Sequence, residues 1–152
     1  MAVRQYVYFG LFSERVSAAE MTAWLGVEPD ASTVRGSRRS RPMLPVRHAW
    51  KIECREDGLP VDEQISRVLA WLRPHLDKIV ELSERLSEEE PANTAVLQVV
   101  RYFNDEADSP DTDPSVETTD RPNLFGWHLD HDILAFMSAV GAVLDVDEYD
   151  LS

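Results

Sequence analysis

The sequence predicts an α+β fold, a mostly antiparallel sheet with helices packed on one face. Three observations carry that prediction. Runs rich in aromatic and β-branched residues, Tyr6–Phe12 (YVYFGLF) and Thr94–Phe103 (TAVLQVVRYF), read as strands. The stretches between strands place apolar residues at helical spacing and begin or end on capping residues. The elements then follow in the order β-α-β-α-α-β-β-α-β, which favours helices segregated to one side of a sheet. A ferredoxin-like core with additions is the leading topology for that order.

Each element has its own warrant. YVYFGLF is apolar on both alternating faces, the pattern of a central strand covered on two sides, and Gly10 within it marks a bulge or a close packing contact. Ser17 and Glu20 form an S-x-x-E capping box, Met21, Trp24 and Leu25 recur at helical spacing, and Gly26 ends the helix. In HAWKIECRE, Trp50, Ile52 and Cys54 alternate with Lys51, Glu53 and Arg55, so one face of that strand is buried and the other wet. Val61, Ile65, Val68, Leu69 and Leu72 define a helix, and Pro74 breaks it before a second helix that turns Leu76, Ile79, Val80 and Leu86 inward. Residues 104–122 are an acidic, aperiodic loop with seven carboxylates between Asn104 and Asp120. Leu124–Leu129 (LFGWHL) reads as a strand, Asp130 as the N-cap of HDILAFMSAV, and Val143–Tyr149 as a short final strand.

A chain of 152 residues is expected to form a single domain, 1–152, large enough to bury a core without staples. No apolar run is long enough to span a membrane, and the N-terminal residues turn polar too soon for a secretory leader. The single cysteine, Cys54, has neither a disulfide partner nor a CxxC neighbour, so a cytoplasmic protein is expected. The formal net charge is -13, yet Arg35, Arg38, Arg39, Arg41, Arg47, Lys51 and Arg55 face only Glu53 within residues 35–55. Seven cations less one anion make that segment +6 and leave -19 for the remainder. Such a field opposes nucleic acid and steers basic proteins toward the chain.

The basic stretch itself, a flexible loop at 34–46 running into Arg47, offers two readings. Arg35, Arg38, Arg39, Arg41 and Arg47 can embrace a phosphate or carboxylate, or they can pair with the protein's own carboxylates. No GxxxxGK[ST] loop is present. His128, Asp130, His131 and Asp132 have the chemistry of metal ligands, but Asp130 is committed as a cap and a third ligand is missing, so no metal is expected. The terminal DVDEYD lacks the glycine and closing glutamate of a calcium loop. Cys54 falls on the core face of its strand, and Trp24, Trp50, Trp71 and Trp127 fall in core-forming elements. No nucleophile elbow appears, so neither catalytic residues nor a cofactor are assigned.

Taken in order, WLGVEPD (Trp24–Asp30), Arg35-Gly36, HAWKIE (His48–Glu53), the helix broken at Pro74, WHLDHDILAFMSAVGA and LDVDEYD (Leu144–Asp150) resemble the DUF4279 domain family of uncharacterised bacterial proteins. The resemblance implies a compact α+β bacterial domain and no activity. Size, acidity and the missing catalytic set point instead to a non-enzymatic protein-binding module, with a basic partner, in outline like the immunity proteins that neutralise toxins. The alternative is a binder of a small anion through the five arginines. Aromatic-rich strands also leave a face or edge on which a homodimer can form.

Overall fold

A computed structural model describes residues 3–105 and 124–152. Strand β1 (Val3–Ser13) is followed by α1 (Ala18–Leu25), the short strand β2 (Ala31–Thr33), the paired β3 (Arg39–Ser40) and β4 (Met43–Leu44), and β5 (His48–Cys54). Helix α2 (Val61–Leu72) leads through a single 3-10 turn, Arg73–His75, into α3 (Leu76–Glu89), then β6 (Ala95–Phe103), α4 (His131–Val140) and β7 (Val143–Asp150). The fold is α+β, and its main sheet runs β2-β5-β1-β6-β7.

The capping chemistry places the helices where the sequence put them. The Ser17 hydroxyl accepts from the Glu20 amide at 3.1 Å, and the Asp130 carboxylate from the Ile133 amide at 2.9 Å. Gly26 and Gly141 close α1 and α4 in the left-handed conformation. Pro74 sits within the 3-10 turn between α2 and α3, where a missing N–H costs least.

Packing is one-sided. Val7, Phe9 and Leu11 of β1, Trp50 and Ile52 of β5 and Leu97 and Val99 of β6 point to one side, where they join the buried faces of all the helices described. Cys54, Leu144 and Val146 pack against that core at its margins. One end of the core is polar. Gln64 is fully buried and donates to the carbonyls of Gln5 and Glu56 at 3.0 and 3.1 Å, while Gln5 donates to Leu59 O at 2.9 Å.

Four expectations are revised. The ferredoxin-like core gives way to another connectivity: that motif splits its βαβ units, whereas β6 and β7 are direct neighbours, parallel, and joined through α4. Leu124–Leu129 is not a strand, because the buried Arg101 guanidinium takes the carbonyls of Leu124 and Phe125 at 2.5 and 3.2 Å and β7 occupies the ladder beside β6. The basic stretch read as a loop contains the β3–β4 hairpin, with Arg39 opposite Leu44 and Ser40 opposite Met43. Trp71 is 72% exposed, because the stripe α2 turns inward is Val61, Ile65, Val68, Leu69 and Leu72, and Trp24 is 42% exposed, because α1 turns Ala18, Met21 and Leu25 inward. From residue 106 onward, the acidic loop predicted at 104–122 lies outside the described residues.

Candidate interaction surface

The other side of the sheet carries no helix among the described residues. The register sets its rows: Gly10 beside Lys51 and Val96, Tyr8 beside Glu53 and Gln98, Tyr6 beside Val100, and Arg4 beside Tyr102. β7 extends those rows with Val143, Asp145, Asp147 and Tyr149. Period-two alternation therefore gathers tyrosines, cations and carboxylates from four strands onto one surface.

A ladder of cations lies over the aromatic rings. The Arg47 guanidinium sits 5.0 Å from the Phe12 centroid, Lys51 Nζ 4.4 Å from Tyr8, Arg55 3.9 Å from Tyr6 and Arg4 4.5 Å from Tyr102. Tyr102 and Tyr149 stack at 5.3 Å across β6 and β7. This blanket of rings and alkyl stems helps keep Val96, Gln98 and Val100 buried where no helix among the described residues covers them. YVYFGLF is a central strand, but among the described residues only the side of Val7, Phe9 and Leu11 meets helices, while Tyr6, Tyr8 and Phe12 are half-buried on the other.

The charges are segregated. Arg47, Lys51 and Arg55 follow the β5 side, with Glu53 paired to Arg55 at 3.1 Å; Asp145 and Asp147 follow β7, where Asp147 accepts from Gln98 at 3.1 Å. The electrostatics report this split. Burial holds the Lys51 ammonium below its ordinary value, with Glu53 opposing the shift and Arg55 adding to it. Burial raises the Tyr8 phenol, and Tyr6, Asp145 and Asp147 raise it further. Tyr6 is raised by burial and by Tyr102, against the pull of Arg55.

The five arginines singled out in the sequence take different places. Arg35 is engaged locally: its backbone N–H donates to His48 Nδ1 at 3.0 Å and its Nε to Val46 O at 2.9 Å. Arg47 donates to Asn93 O at 2.6 Å and belongs to the ladder. Arg38, Arg39 and Arg41, on and beside the β3–β4 hairpin, are exposed, and among the described residues their side chains meet no ion-pair or hydrogen-bond partner. Arg4, Lys51, Arg55 and the tyrosines carry the surface but were not selected from the sequence. The available signal was the wet alternation of HAWKIECRE read together with the tyrosines of β1, and it needed the strand register to become a site.

Chemically, the surface offers contact and charge. Among the described residues no three His, Cys, Asp or Glu side chains gather as metal ligands. Asp130 caps α4 as expected, and His48 is an acceptor for the Arg35 backbone. A hollow of about 520 Å³ on the helical side, lined by Arg73, Leu76, Asp132, Ala135 and Phe136, holds no nucleophile and base together. No helix among the described residues is long and apolar enough to cross a membrane.

The described residues therefore form an α+β fold with helices on one face of the sheet and an aromatic, charged opposite face that no described helix covers. The profile of the DUF4279 family, a domain of unknown function, matches residues 3–151, and the chain belongs to that family. No curated protein and no solved structure matches it.

Proposed function

We propose that this chain is a non-enzymatic protein-binding module of the bacterial cytoplasm, and that its binding surface is the open face of the sheet. One observation carries the reading: Tyr6, Tyr8, Phe12, Tyr102 and Tyr149 share that face with Arg4, Arg47, Lys51 and Arg55. Tyrosine and arginine are the residues enriched at protein interfaces, since each brings a large, stiff contact area with a polar end. The -19 carried outside residues 35–55 steers partners with a basic surface toward the molecule.

The test is affinity capture from the native organism at low salt, with the wild-type chain, a Tyr6→Ser/Tyr102→Ser face variant and a Trp71→Ala control from the helical side. Capture of a partner that the face variant loses and the control keeps supports the reading. No partner, or one that the face variant retains, overturns it.

A second reading assigns Arg38, Arg39 and Arg41 to a small phosphate or carboxylate, because these guanidinium groups are exposed and unpartnered among the described residues. Thermal shift against nucleotides, sugar phosphates and carboxylates tests it: a stabilisation abolished by Arg38→Ala/Arg39→Ala is expected. A shift that survives those substitutions, or no shift, removes it.

A further inference from the structure

We infer that residues 34–47 form a docking arm whose tip enters the headgroup layer of an anionic lipid surface. The arm is a surface apart from the sheet face, and its arginines include those of the small-anion reading.

Topology makes the arm. The antiparallel pairing of β2 with β5 continues past Thr33 and Ala49 into the β3–β4 hairpin, with the Gly36 amide donating to Pro45 O at 2.9 Å and the Arg38 amide to Leu44 O at 2.8 Å. From the Thr33–Ala49 pair to the Ser40–Met43 pair the ribbon runs about 20 Å, at about 3.3 Å per residue. Residues 37–44 are exposed without a break, so the distal half is held by its own ladder.

Composition names the partner. Between Val34 and Arg47 lie five arginines, no carboxylate and no aromatic ring. Val34, Met43, Leu44 and Val46 are exposed on the same arm. Guanidinium groups beside bare aliphatic side chains fit an interface that offers phosphates above and acyl chains below. Nucleic acid rewards the charge but not the aliphatic groups, and the arm has no ring to stack on a base. The two faces of the ribbon point the same way. Arg39 and Leu44 are cross-strand partners and share one face; Met43 lies with Ser40 on the other, and Arg41 sits in the turn between them. A flat partner covers one face and leaves the other's aliphatic side chain in water. A headgroup layer surrounds the tip and takes both.

The acidic body stands back from this tip. At physiological ionic strength fields are screened over about 8 Å, less than half the length of the ribbon. The net charge of -13 is therefore weakly felt there, while each arginine at the surface gains attraction from anionic lipid. Docking of this kind is shallow, reversible and weakened by salt.

Flotation of the purified full chain with extruded vesicles at physiological salt tests the inference. The wild type is expected to float with an equimolar mixture of phosphatidylglycerol and phosphatidylcholine and not with phosphatidylcholine alone. Arg38→Ser/Arg39→Ser/Arg41→Ser is expected to weaken partitioning roughly a hundredfold, about fivefold for each arginine. Met43→Ser/Leu44→Ser, which leaves the charge unchanged, is expected to weaken it about tenfold. Circular dichroism and a melting curve of each variant establish that it is folded. A wild type that stays behind, or that floats equally with both vesicles, overturns the inference. So does an aliphatic variant that floats like the wild type, which shows attraction by charge alone. Release from the vesicles by free glycerol 3-phosphate overturns it in favour of a small-anion site, and binding to duplex DNA in place of vesicles overturns it in favour of nucleic acid. The sheet-face reading stands or falls separately, on the capture lost with Tyr6→Ser/Tyr102→Ser.

Discussion

The Phe12 ring folds back over Gly10 on the open face, so closely that a Cβ at Gly10 would stand 2.7 Å from Phe12 Cε2 and 3.3 Å from Tyr8 Cε2. The glycine is the floor on which the ladder begins: Arg47 rests on the Phe12 ring, and Lys51, in the row of Gly10, lies between Tyr8 and Phe12.

Gly10→Ala is therefore expected to destabilise the chain. The clash is with the far end of a side chain that can swing outward, so the cost is about 1–2 kcal/mol, at the lower end for overpacking. Urea denaturation measures it. In a Phe12→Leu background the same substitution costs clearly less, and an equal cost in both backgrounds shows that the ring is not the obstacle.

Arg101 is the second point of leverage. Its side chain is 5% exposed and donates to Gln5 Oε1 at 3.0 Å as well as to the carbonyls of Leu124 and Phe125. Arg101→Met leaves the buried Gln5 amide oxygen and the part-buried carbonyls of Leu124 and Phe125 without a charged donor, which costs about 2–4 kcal/mol. Hydrogen exchange is expected to accelerate in residues 124–129 more than in α2. Uniform acceleration across the chain counts against a local clamp.

Trp71 and Leu72 are neighbours with opposite fates. Leu72→Ala removes a buried side chain and is expected to cost about 2–5 kcal/mol. Trp71→Ala, although it deletes a larger group, is expected to change stability by no more than about 0.5 kcal/mol. Melting temperatures of the two variants compare them directly.

Alkaline pH reads the open face. Tyr6 and Tyr8 hold their protons above the ordinary value of 10.0 in the folded chain, so the unfolded chain ionises first and stability falls as pH rises through 10.0. Lys51 acts in the opposite sense, because its lowered value lets the folded chain lose that proton first, and stability rises up to its ordinary 10.5. The wild type is thus expected to lose stability above pH 10.0 relative to a Tyr6→Phe/Tyr8→Phe variant. In phenolate absorbance, Asp145→Asn/Asp147→Asn shifts the Tyr8 titration downward, toward 10.0; an unmoved titration removes the carboxylates as a cause.

Local chemistry was legible before any coordinates. Ser17 and Gly26 bracket α1 and Asp130 opens α4 because caps satisfy backbone groups within a turn of themselves, and Val61–Leu72 announces α2 by its stripe. Pro74 marks the break between α2 and α3 for the same reason: its effect is confined to one turn. The single-sided sheet follows from the alternation of Trp50, Ile52 and Cys54 with charged residues. What depends on partners distant in the chain was not legible. The strand order, the parallel seating of β7 and the irregular path of Leu124–Leu129 are decided by which edge of β6 is free and where Arg101 finds its acceptors. The candidate surface belongs to the same class. Arg4, Tyr8, Lys51 and Asp145 are unremarkable in the sequence, separated by up to 141 positions. They become one face only when hydrogen-bonded register sets their strands side by side, and tertiary structure alone supplies that register.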